Sequence, residues 1–137
     1  MQTDFNMDLV SEDDRFLAAM AHLSVLLSLF IGPFSSLVPA IIWYRERSKR
    51  EASSAFILFH AAQSAIYQSI IATLLVIAAV ISFFLCIFFI GFFLLPLVLI
   101  LGILFLVYGC FLGMKTWQGE NMKYYLIGEE LARRIPR

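Results

Sequence analysis

Between Ala65 and Met114 the chain runs for fifty residues without a charged side chain, dominated by Phe, Leu, Ile and Val. A helix rises about 1.5 Å per residue and a bilayer's hydrocarbon core is about 30 Å thick, so one crossing takes about 20 residues. The stretch is too long for one helix and fits two with a turn between them. Its punctuation is the run from Phe89 through Gly91 to Pro96. The reading is a transmembrane helical hairpin turning around Gly91, with one helix reaching about Phe88 and the next running from about Phe93 to Met114. Pro96 is tolerated there if it lies in the first turn.

An earlier apolar segment runs from Phe16 to Tyr44 and is interrupted at Gly32-Pro33. As one straight helix, Leu17–Tyr44 would span about 42 Å, longer than the hydrocarbon core. A kink or unwound turn at Gly32-Pro33, with Ser35 and Ser36 bonding the freed backbone groups, removes the excess. The fold class is therefore all-α: a polytopic membrane protein with three transmembrane helices, the first broken at Gly32-Pro33, plus interfacial amphipathic helices. The chain divides into an acidic N-terminal segment (1–15), a three-span domain (16–114) and a basic amphipathic tail (115–137). The composition agrees: with 61% hydrophobic and 15% charged residues in 137, too little polar material exists to clothe a soluble domain.

The N-terminus carries Asp4, Asp8, Glu12, Asp13 and Asp14 with no basic residue before Arg15, unlike a cleaved signal peptide. Residues 1–10 read as loosely attached, and Ser11 as a helix N-cap with acidic residues in the first turn. Four basic residues lie in the loop 45–54 and five in the tail. Three spans place those nine on one side, so the positive-inside rule predicts a multi-pass protein of the cell membrane with its N-terminus outside and its C-terminus cytoplasmic. Trp43, Tyr44 and Trp117 are the interfacial anchors. No basic face for nucleic acid is visible. Cys86 and Cys110 fall at depths about 20 Å apart, beyond disulfide reach.

On the helix that starts at Ser53 or Ser54, His60, Gln63, Ser64, Tyr67 and Gln68 fall within an arc of about 140°. Such a stripe can line a cavity, bind a lipid head group, contact a partner or bond between helices, or it can sit at the interface where water satisfies it. Gly102, Gly109 and Gly113 share one side of the third helix, and Gly109–Gly113 is a small-xxx-small pair suited to close packing or homodimerisation. The Phe-rich turn, from Phe83-Phe84 to Phe93, reads as seating the hairpin at the interface. His22 and His60 belong to opposite ends of their spans, so no shared metal is expected. After a break at Gly119-Glu120-Asn121, Met122 to Ile135 reads as a second amphipathic helix lying along the membrane surface. No catalytic residues, cofactor or nucleophile–base pair are indicated.

Three patterns together resemble a known family. They are Ala19-Met20-Ala21-His22-Leu23-Ser24; Pro39-Ala40-Ile41-Ile42-Trp43 with the basic loop and Phe56 to Gln63; and Lys115-Thr116-Trp117-Gln118-Gly119-Glu120 leading into Lys123-Tyr124. This resembles the small Tic-twenty-like membrane proteins, distant relatives of a chloroplast inner-envelope translocon component. Here Ile66, Ala55 and Tyr125 stand where that family usually has Asn, Pro and Pro. The resemblance implies a three-span protein without assigned catalytic residues. The resulting expectation is a non-catalytic accessory or scaffold subunit working through helix contacts, with membrane lipids and a larger complex or a homodimer as partners. Two alternatives stand beside it: a component of a protein-translocation or transport machine, and a binding protein for lipid or a hydrophobic cofactor.

Overall fold

The computed structural model describes residues 5, 9–125 and 127–134. Within them the chain is helical: α1 (Glu12–Leu23), α2 (Ser28–Ile31), α3 (Leu37–Arg47), α4 (Ala55–Leu85), α5 (Gly91–Trp117) and α6 (Gly128–Arg134), with short 3-10 turns between several of them. Three helical stretches are long and apolar enough to cross a membrane: Glu12–Arg47, Ala55–Phe88 and Gly91–Trp117. The first is broken where expected, at Gly32-Pro33. Local signals act as read: Ser11 Oγ accepts the Asp14 N–H at 3.1 Å, and Ser54 caps α4.

The break does more than kink the span. Gly32 takes φ 57° and ψ −134°, a backbone region open almost only to glycine. There the chain reverses. Ala18 packs with Phe56 near the start of α4, and Val25 with Ala72 further along. Gly32 and Pro33 share a groove with Val76 and Ala79, whereas Ala40 and Trp43 are back beside Ala62 and Ile66. Glu46 then accepts the Ser54 N–H at 2.7 Å and the Lys49 ammonium at 2.6 Å. Residues 12–47 thus form a short hairpin laid against the longer α4–α5 hairpin. Its tip stops about 10 Å short of the far turn, seven residues below it along α4. Ser36 Oγ bonds the Pro33 carbonyl as expected, while the Ser35 hydroxyl is buried with no partner among the described residues.

The sequence reading put the N-terminus opposite the loop 45–54; the structure puts both at one end. Phe16 meets Trp117 edge-on at 5.5 Å, so the end of α5 is there too. The looseness expected of residues 1–10 does not extend to Phe5, which packs on Phe56 and Phe59, or to buried Val10; residues 1–4 and 6–8 lie outside the described residues. No charged residue occurs in 16–44 or 52–114. All the charge of the described chain therefore gathers at the end that holds the start of α1, the 45–54 loop and the tail. The opposite end is apolar, with Phe83, Phe84, Phe88, Phe89, Phe92 and Phe93 exposed around the turn. Gly91 fits that turn because a Cβ would run into the Ser82 carbonyl and the Cys86 amide. α5 begins at Gly91, so Pro96 lies beyond the first turn and one ladder bond is missing. Cys86 and Cys110 are free thiols.

Gly109 and Gly113 are contact points within the monomer. A Cβ on Gly109 would lie 2.8 Å from Val25 Cγ1, and one on Gly113 2.9 Å from Leu23 Cγ. Gly102 faces open space and packs against nothing, a correction to its grouping with the other two; a shared side of a helix need not face one neighbour throughout. Gly109→Leu is expected to destabilise the fold by about 1–3 kcal/mol, read as a lower melting temperature in detergent, and Gly102→Leu to leave it nearly unchanged. Equal melting of the two variants would contradict this packing.

Candidate functional site

The polar stripe of α4 is buried, not interfacial. His60, Gln63, Ser64 and Gln68 have no exposed surface, and Tyr67 is partly covered. With no water in a bilayer core, each polar group there must be satisfied inside the protein, and these turn to α1 and to the tail. The Ala21 carbonyl accepts from Ser24 Oγ (2.7 Å), Ser64 Oγ (2.7 Å) and Gln68 Nε2 (3.1 Å). Gln68 Nε2 also donates to Ser64 Oγ at 2.9 Å. This three-donor acceptor lies where α1 tightens into the 3-10 turn Ser24–Leu27.

Nearer the charged end, Gln63 holds the tail. Its Oε1 accepts the Tyr124 N–H at 3.2 Å and its Nε2 donates to the Met122 carbonyl at 3.1 Å, which fixes the amide's orientation. The same Nε2 lies 3.0 Å from His60 Nδ1. His22 Nε2 lies 3.1 Å from His60 Nδ1, and His22 Nδ1 lies 3.1 Å from the Tyr124 hydroxyl, so the two rings and the phenol are joined in one hydrogen-bonded chain. Burial, with the Tyr67 and Tyr108 phenols nearby, holds the Tyr124 phenol well above its ordinary value and keeps it a donor. Tyr124 also stacks on Tyr67, ring centroids 4.0 Å apart. His60 Nε2 is buried without a partner among the described residues.

Two expectations are corrected here. His22 and His60 are in contact, because reversal at Gly32 starts α1 at the same end as α4. Met122 to Ile135 is not one surface helix: residues 120–124 are docked without regular secondary structure, and of the described residues only Gly128–Arg134 is helical, with Leu126 and Ile135 outside them. No sequence signal marks the docking of Tyr124, because an irregular segment has no hydrophobic period to detect. The anchors lie at the charged end: Tyr44 and Trp117 are exposed, and Arg47 lies 4.9 Å above the Trp43 ring. Chemically the stripe is an interhelical bonding network roofed by the tail. Among the described residues no cluster of three or more His, Cys, Asp or Glu side chains could hold a metal.

Gln63→Leu leaves the Tyr124 amide and the Met122 carbonyl unpaired, which weakens the dock by about 2 kcal/mol. Trypsin is expected to cut at Lys123 about tenfold faster or more in that variant. An unchanged cleavage rate would show that Gln63 does not hold the tail.

The family model described as the magnetosome magnetite crystal formation protein family, MamF/MmsF, matches residues 13–131. No curated protein and no solved structure matches the chain. The match overturns the Tic-twenty-like resemblance. Interfacial tryptophans, capped loops and a histidine near a helix start meet needs common to many small membrane proteins, so they separate families poorly. The translocation alternative loses its footing with that resemblance.

Proposed function

Because the chain belongs to the magnetosome magnetite crystal formation protein family, we propose that it is a non-catalytic accessory subunit of the magnetosome membrane, supporting crystal formation through helix contacts. Its charged end faces the cytoplasm, since all ten Lys and Arg residues fall in segments outside 16–44 and 52–114. The C-terminus is cytoplasmic, and the N-terminus shares its side.

One observation carries this reading: the charged side chains of the described chain gather at one end, and the polar stripe of α4 is buried inside. The other end offers phenylalanine and isoleucine, which give iron ions or an oxide surface nothing to coordinate. A protein so built acts on its neighbours in the membrane. The groove of about 320 Å³ where Gly102 leaves a notch, bordered by Ser28, Pro33, Ala72 and Val98, supports a contact with another helix, from a larger complex or a second copy.

Purification from the native membrane in a gentle detergent is expected to yield an assembly larger than the monomer, with other magnetosome membrane proteins or a second copy in it. Loss of the chain is expected to alter magnetite crystal size or number. A lone monomer carrying only lipid, together with unchanged crystals, would overturn the proposal.

A further inference from the structure

Between α3 and α4, at the charged end, lies a cleft of about 620 Å³ that the buried network does not use. Its floor is apolar and kept open by small side chains: Ala40 from α3 faces Ala62 and Ala65 from α4, with Leu58 and Ile66 alongside. Its mouth is basic, formed by Arg47, Arg50 and Ser53. The depth of that mouth is set by the chain itself. α3 ends at Arg47, one helical turn after Trp43 and just after exposed Tyr44, so the two guanidinium groups stand at the level of lipid head groups.

The charge balance of the mouth is one-sided. Arg47 rests on the Trp43 ring, 4.9 Å from its centroid. Both charged side chains of the cleft's described lining are cations, and Leu131 of α6 completes its wall. The nearest acid on α3, Glu46, is turned inward onto the Ser54 amide and Lys49. Two exposed cations above an apolar slot that runs toward the bilayer suit an amphiphile with an anionic head.

The geometry points to a binding site for an anionic phospholipid, its phosphate held by Arg47 and Arg50 and one acyl chain laid over Ala62 and Ala65. Arginine presents a planar fork of donors that fits a phosphate, and the cleft has the size range of small-molecule sites. A free phosphate would satisfy the mouth and leave the apolar floor empty, so the floor selects the lipid. The site is independent of the role proposed above.

The test is native mass spectrometry of the full-length protein in detergent, titrated with phosphatidylglycerol or with phosphatidylcholine of the same chain length. The wild type is expected to retain phosphatidylglycerol preferentially. Arg47→Gln and Arg50→Gln are each expected to weaken that preference about fivefold, while Lys123→Gln, outside the cleft, leaves it unchanged. Ala65→Leu fills the floor and is expected to reduce retention of both lipids. Equal retention of the two lipids by the wild type, or a preference that survives the double arginine variant, would overturn the site. Displacement of the lipid by millimolar inorganic phosphate would overturn the assignment to a lipid.

Discussion

The Ala21 carbonyl, with donors from Ser24, Ser64 and Gln68, sets the register of this molecule. In a soluble protein three such groups could turn to water. In a bilayer they cannot, and a polar group left unpaired costs several kcal/mol. Sliding α1 against α4 by a turn would break the bonds from Ser64 and Gln68 together, so the pair has one low-energy alignment. The rest follows from it: His22 faces His60, Val25 meets Gly109, Leu23 meets Gly113, and Tyr124 finds the Gln63 amide and the His22 ring in one place.

The parts of this arrangement that depend on local chemistry were legible in the sequence. Long charge-free runs give the three long apolar helical stretches, Gly91 gives the hairpin turn, Ser11 and Ser54 give the caps, and the spacing from His60 to Gln68 gives one polar face. The direction of the chain after Gly32 was not legible. A kink and a reversal need the same residues, a glycine, a proline and nearby serines, and they differ only in what packs on each side. Charge did not decide it, because Arg15 is a single residue and acidic side chains contribute little to orientation. The error at Gly32 carried over to His22, whose distance from His60 depends on which end α1 starts from. Tyr124 escaped for a different reason. It docks from an irregular segment, and nothing in its neighbours' spacing marks that.

Polar residues inside a membrane helix invite a reading as a ligand site. Here Gln63, Ser64, Gln68 and the Nδ1 side of His60 are matched by groups of the same chain, and the tail covers them. The surfaces left for other molecules are elsewhere: the notch at Gly102, the basic mouth at Arg47 and Arg50, and the apolar far turn. That division suits the accessory role proposed for this member of a crystal-forming family.

The central structural claim is that the chain reverses at Gly32, and sidedness tests it most directly. In a variant lacking Cys86 and Cys110, single cysteines at Asp13, Ser48, Gln118 and Phe89 would be exposed to a membrane-impermeant maleimide in sealed vesicles of known orientation. Labelling of Asp13, Ser48 and Gln118 from one side, with Phe89 not reached from that side, is the predicted result. Labelling of Asp13 from the side opposite Ser48 and Gln118 would contradict the reversal and restore a single crossing by residues 12–47.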